Sequence, residues 1–400
     1  MNSSEAYAEA PIESTATETA AVIGQPTEQF EVRETDDDPP NGGSSQGDTV
    51  YPTGFRLWMS ITSLLLTATF YGLDMTIVAV AIPSLTNQFK TVNDIGWYSS
   101  VFMLLSSSFT FFFSKLYTLF EVKRVFLAAI FFFQLGSLLC TVAPASAVFI
   151  LGRAIAGFGG SGISMGAGTI MVHSFPLHKR PFWGGIIAFV QTLAMVSAPL
   201  LGGVLIDHFT WRACFGINLP IGVLTLGLTA YYFHSPITNA DDDLPLKEKV
   251  KKMDLLGTFF FVPAIVSLLI ALQWGGIRYG WQNTRIITLL VLFAVLTSVF
   301  CYIQYKGKEN AALPPRVLKQ RSVIAGAWFS VCCSGVLAIT EYYIAIYFQG
   351  VKGFSATKSG ALGLPTIIGL SVSALAAGVL TTALGYYYRK SISREIRRAH

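Results

Sequence analysis

From residue 55 onward the chain is a succession of long apolar runs separated by short polar breaks. A helix needs about 20 mainly apolar residues to cross a bilayer. Ten runs qualify: 57–84, 95–117, 125–143, 147–172, 182–206, 211–233, 254–274, 286–305, 322–348 and 360–384. Each predicts a helix, because an open sheet in hydrocarbon would leave backbone groups unpaired. The connections are short except for two polar stretches, 234–253 and 306–321, neither long enough for a folded domain. The pattern predicts an all-α polytopic membrane protein with about ten transmembrane helices.

Composition strengthens that reading. Of the 400 residues, 52% are hydrophobic and 13% charged, roughly half the charged share of an ordinary soluble domain. A soluble fold could not cover so much apolar surface. Residues 1–50 differ sharply: they hold 11 of the 23 acidic residues, one basic residue (Arg33) and few bulky apolar side chains. That stretch is expected to stay disordered, and it has no basic n-region leading an apolar core, so the first span is expected to act as the insertion signal. Lys and Arg concentrate in cytoplasmic loops. With the N-terminus placed inside, inner segments carry 21 of the 28 Lys and Arg, outer segments 6, and Arg153 lies within a span. The net charge of +5 is thus spread over short loops rather than one basic face, which excludes a nucleic-acid binder.

Charge inside hydrocarbon is costly, so an ionisable residue there marks a cavity, a partner or a function. Three fall clearly within the runs rather than at their ends: Asp74, Arg153 and Glu341. A carboxyl that water reaches intermittently can take up and release a proton, as a proton-coupled carrier requires. The plainer roles are a helix-packing hydrogen bond for Asp74, a tie to neighbouring carbonyls for Arg153 and a hydrated place near the outer interface for Glu341. Gln191, midway along the fifth run, is a candidate substrate anchor or an interhelical hydrogen bond. The fourth run is dense in Gly152, Gly157, Gly159, Gly160, Gly162, Gly166 and Gly168, small residues that let helices approach closely in lipid. A phosphate-cradling loop is excluded there, since it would need an exposed turn after a strand. In the fifth run Ala198-Pro199-Leu200-Leu201-Gly202-Gly203 joins a kinking proline to small residues, suited to sealing two halves of a carrier against leakage. No nucleophile–base pair, nucleotide loop or metal spacing stands in a usable place, so no enzyme activity, cofactor or metal is expected. The five cysteines lie in or beside apolar runs and read as packing residues.

Leu73-Asp74-Met75-Thr76-Ile77-Val78-Ala79-Val80-Ala81-Ile82-Pro83 opens a series of recognisable segments. Next come Ile150-Leu151-Gly152-Arg153-Ala154-Ile155-Ala156-Gly157-Phe158-Gly159, the Ala198 to Gly203 segment, and Trp211-Arg212-Ala213-Cys214-Phe215-Gly216-Ile217-Asn218-Leu219-Pro220. Ile346-Tyr347-Phe348-Gln349 with Ser355-Ala356 completes the series. In this order they resemble the motifs of the fourteen-span drug:proton antiporters of the major facilitator superfamily, in the style of fungal toxin and multidrug efflux pumps. The first cytoplasmic loop departs from the family, with Ser114 where a Gly is usual and Thr118 where an Asp is usual, though Lys123 and Arg124 keep its basic end. Ala79 stands for a usual Asn, and Ala198 for a usual Gly.

The resemblance implies the major facilitator fold and proton-coupled efflux of small hydrophobic compounds (drugs, toxins, secondary metabolites) from a plasma-membrane carrier, and the 21 to 6 split of Lys and Arg predicts that its N-terminus is cytoplasmic. It implies proton coupling by Asp74 and Arg153, and gating by Ala198, Pro199, Gly202, Gly203, Lys123 and Arg124. The expected layout is an acidic tail (1–54), a six-helix bundle (55–233), a loop with two linker helices (234–321), a partial second bundle (322–387) and a basic tail (388–400). A fourteen-span carrier has six helices after its linkers, and this chain supplies two. The alternatives are therefore a C-terminally truncated, transport-inactive product of such a gene, or a non-transporting membrane sensor or regulatory partner. Expected partners are the bilayer, protons and a small hydrophobic substrate; the oligomeric state stays open.

Overall fold

The apolar runs fold as helices with few interruptions, each traceable to particular residues. The computed structural model of the chain describes residues 54–91, 94–233, 245–276, 278–307, 316, 319–353 and 356–384. The helices in chain order are α1 (Phe55–Phe89), α2 (Ile95–Ser108), α3 (Thr110–Leu119), α4 (Val122–Val142), α5 (Ser146–Ser174), α6 (Arg180–His208), α7 (Trp211–Gly216) and α8 (Asn218–Tyr232). They continue as α9 (Leu246–Lys252), α10 (Leu255–Trp274), α11 (Thr284–Gly307), α12 (Arg321–Ile346) and α13 (Ala356–Leu384). All ten runs lie on helix. Among the described residues seven helical stretches, α7–α8 counted as one, are long and apolar enough to cross a membrane, and the bent α2–α3 pair makes an eighth. The last two helices hold shorter apolar stretches, Arg321–Leu337 and Ile368–Ala383. The expected tails fall outside the described residues, apart from Gly54.

Two spans expected to be continuous are broken. The second bends by 42° at Phe109, where Ser108 Oγ donates to the Leu104 carbonyl at 2.7 Å and Thr110 Oγ1 to that of Ser106 at 2.9 Å. Hydroxyls that compete for helix carbonyls loosen and bend the ladder. The sixth breaks at Ile217, because Pro220 has no N–H to give the Gly216 carbonyl. That break places Asn218 at the start of a new helix.

The glycines of α5 are where α4 and α2 come closest. A Cβ on Gly159 would collide with the Phe133 backbone nitrogen, and one on Gly157 would stand 2.5 Å from the Phe102 carbonyl oxygen. Gly168, by contrast, would meet nothing within 4 Å. Two apolar clusters flank this seam. One is built on Phe70, Phe102, Phe113, Phe126 and Phe133, the other on Ile77, Tyr98, Phe149, Trp211 and Phe215. Large apolar side chains such as Leu200, Val204, Val223, Phe259 and Val295 remain exposed, as lipid-facing positions do. Cys140 and Cys214 are buried, but Cys301, Cys332 and Cys333 are exposed, which corrects the reading of all five as packing residues. An apolar sequence context does not separate core from lipid-facing surface when both are apolar.

The α10–α11 pair packs on the α2–α3 span through Phe111, Phe261 and Phe300, with centroids of Phe261 4.9 Å from each of the other two. Ser100 Oγ also donates to Gln273 Oε1 at 2.8 Å. α13 docks on the start of α6, where a Cβ on Gly185 would stand 3.0 Å from the Ala374 carbonyl oxygen and 3.4 Å from the Gly378 Cα.

Candidate functional site

Where the two apolar clusters meet, three helices bring together the polar residues of their interiors. Asp74 on α1 is fully buried and Arg153 on α5 is 2% exposed; Arg153 Nη1 donates to Asp74 Oδ2 at 2.6 Å. The guanidinium is held from two further sides. Its Nε donates to the Tyr98 carbonyl on α2 at 3.1 Å, and its Cζ lies 4.5 Å from the Phe102 ring centroid. The other carboxylate oxygen, Asp74 Oδ1, accepts from Asn218 Nδ2 at 3.3 Å. The site is therefore an ion pair whose two partners each have a second anchor, which is what a pair removed from water requires.

Tyr98 links this site to one end of the bundle. Its hydroxyl hydrogen-bonds Ser146 Oγ at 3.0 Å, and Ser146 Oγ donates to Asp94 Oδ2 at 2.7 Å. At the same end Trp211 Nε1 donates to Gln88 Oε1 at 2.5 Å, and Arg212 Nη2 to the Ala143 carbonyl at 3.0 Å. These contacts tie the start of α2 to that of α5, and the start of α7 to the ends of α1 and α4.

The segment around Pro199 is fixed to α1 rather than standing alone. A proline leaves the carbonyl four residues earlier without its donor, here that of Met195, and Thr76 Oγ1 donates to it at 2.8 Å. Ala198 is fully buried, and a Cβ on Gly202 would stand 3.1 Å from Ile77 Cγ1. Gly203 would meet nothing within 4 Å and Pro199 is exposed, so of the paired glycines only Gly202 makes a close helix contact. Gln191 is half-buried on α6, with its backbone carbonyl 2.5 Å from where a Gly72 Cβ would be.

The remaining sequence candidates are placed apart from this centre. Arg124, in the first turn of α4, pairs with Glu121 at the cap of that helix at 2.7 Å, and Lys123 lies beside it. Glu341 lies on α12, but its side chain is outside the described residues. Sequence reasoning assigned no role to Asn218, Tyr98 or Thr76. An uncharged Asn two residues before a proline was the available signal for Asn218. Among the described residues no group of three or more His, Cys, Asp or Glu could hold a metal ion.

Against known proteins, the sequence pattern of the Major Facilitator Superfamily matches residues 64–394. The chain belongs to that superfamily. It is 45% identical over 348 residues to the MFS-type efflux pump MFS1 of Arthroderma benhamiae, covering 87% of this chain and 65% of the relative. It is 42% identical over 352 residues to the efflux pump roqT of Penicillium rubens, again covering 87% and 65%. The chain thus spans just under two thirds of the length of these relatives. Among solved structures, the superfamily's proton:xylose symporter XylE superposes with a TM-score of 0.51 at 13% identity, covering 82% of this chain and 69% of that one. At that identity the likeness carries the fold alone.

Proposed function

We propose that this superfamily chain serves proton-coupled efflux of small hydrophobic compounds, with Asp74 as the proton-accepting group and Arg153 as its switchable partner. The observation that carries the reading is the fully buried Asp74–Arg153 pair between α1 and α5. The names of the relatives, efflux pumps among them, support the direction of transport. Protonation of Asp74 would cancel its charge and release Nη1 of Arg153, which keeps the Tyr98 carbonyl and the Phe102 ring as anchors. The α1–α5 contact then loosens while α2–α5 holds, a two-state element that a proton can bias.

In this reading Gln191 is a polar anchor for substrate, Glu341 a further intramembrane acid, and Ala198, Pro199, Gly202 and Gly203 a gating segment held close to α1 at Gly202. Lys123 and Arg124 mark the cytoplasmic gate. Helices α1–α8 form one bundle, α10 and α11 are linkers, and α12 and α13 begin the second bundle, with the N-terminus cytoplasmic in the plasma membrane. The test is efflux from a host stripped of its own pumps. Asp74→Asn in the intact carrier should abolish proton-dependent resistance while the protein stays in the membrane. Undiminished resistance would remove Asp74 from the mechanism.

A further inference from the structure

A second group of buried polar side chains includes Asn218, which holds the Asp74 oxygen that Arg153 does not. Gln134 on α4 is 7% exposed, and neither its Oε1 nor its Nε2 has a hydrogen-bond partner among the described residues. Its amide occupies the space over Gly222 of α8 where a Cβ would otherwise stand. One helical turn earlier on α8, Asn218 is fully buried and gives its Nδ2 to Asp74, while its Oδ1 is unpartnered. The α7–α8 segment runs antiparallel to α4, with Gln134 beside Gly222 of α8 and Thr141 beside Gly216 at the end of α7. This register sets Asn218 opposite the turn of α4 that carries Ser137, 1% exposed and with an unpartnered Oγ.

Four polar atoms on three side chains of α4 and α8 are therefore buried without hydrogen-bond partners among the described residues. Buried polar groups of this kind are satisfied by protein or by bound water, because leaving them bare costs free energy. The Gln134 amide meets α8 at Gly222, one turn or about 6 Å along the helix from Asn218, so one or two waters would connect the two amides, accepting from the Gln134 Nε2 and donating to the Asn218 Oδ1. The chemistry of the atoms fits that role: two acceptor oxygens, one amide donor and one hydroxyl that can do either. Gly222 makes the room, since any larger residue would displace the Gln134 amide.

We propose that α4 and α8 enclose a bound-water site, lined by Gln134, Ser137 and Asn218, that gives Asp74 a hydrated neighbour through Asn218. Its use as a route for protons rests on the coupling role proposed for Asp74; its occupancy does not.

The test uses the full purified chain in lipid nanodiscs. With ¹⁵N-labelled glutamine, the side-chain amide signal of Gln134, assigned by its loss in Gln134→Met, should receive magnetisation from water in water-edited solid-state NMR. A Gln134 amide with no transfer from water, or one shown to bond Asn218 directly, overturns the site. Thermal unfolding supplies the second measurement. Gln134→Met and Ser137→Ala should each lower the midpoint, and the double variant should lose less than the sum because both residues hold the same water. A dry site predicts the opposite for Gln134→Met, a rise in the midpoint as an unsatisfied amide is removed, and either that rise or strict additivity sinks the proposal. Neither measurement needs transport. A failed Asp74→Asn efflux test would therefore leave a hydrated Gln134 standing, and a dry Gln134 would leave the coupling role standing.

Discussion

A carboxylate and a guanidinium buried together lose two hydration shells, and their attraction offsets that loss only while both stay paired. Asp74 and Arg153 meet that condition with Asn218 on one side and Tyr98 with Phe102 on the other. Removing one partner strands the other charge, at a cost of about 3–5 kcal/mol. Arg153→Leu should therefore lower unfolding stability by that amount, and adding Asp74→Asn should recover a large part of it. Thermal unfolding in detergent checks this; equal losses in single and double variants would mean the pair is not the dominant interaction of either residue. The pair was legible as two charges in apolar runs. What anchors it was not, because Asn218 and the Tyr98 carbonyl carry no charge and nothing in their local sequence says which residue they face. Glu341 was equally legible as an intramembrane acid, which shows that charge alone nominates a residue without assigning its neighbours.

Helices were readable from apolar length, and their ends from the polar breaks, because lipid leaves the backbone no other way to pair its N–H and C=O groups. The bends at Phe109 and Ile217 were not readable by that rule, since both lie inside apolar runs. Their causes are local, in the hydroxyls around Ser108 and the missing N–H of Pro220, but hydroxyls and prolines also occur in helices that stay whole, as Pro83 does within α1. The glycine stripe of α5 was legible as a packing surface, yet its members are unequal. Gly159 lies against the α4 backbone while Gly168 faces open space. Gly159→Ala should lower the unfolding midpoint, because the added methyl must push α4 away. Gly168→Ala should leave the midpoint unchanged or raise it, through the helix preference of Ala over Gly, about 1 kcal/mol. Equal effects at the two sites would show that α5 is held by something other than this close approach.

At the scale of the molecule, the question is how helices late in the chain attach to those that come first. Contact between distant segments is invisible to apolar length, since α13 is as apolar on the side that docks as on the side that does not. The structure places the attachment at two glycines. A Cβ on Gly378 would stand 2.6 Å from the Pro181 carbonyl oxygen and 3.3 Å from the Gly185 Cα, and Gly185 returns the contact against Gly378. Small residues opposite each other let two backbones approach in lipid, where packing rather than hydrophobicity drives association. Such closeness matches the Cα separation of about 4.4–6.8 Å that a disulfide spans. In a background without the five native cysteines, Gly185→Cys with Gly378→Cys should therefore cross-link under mild oxidation. An engineered protease site between α11 and α12 makes the bond visible, because the two fragments should stay joined until a reductant is added. Gly203→Cys with Gly378→Cys is the control, since Gly203 lies on the same helix but has no neighbour within 4 Å of its Cβ position. Cross-linking in the control alone, or in neither pair, would show that α13 does not rest on the start of α6 in the membrane.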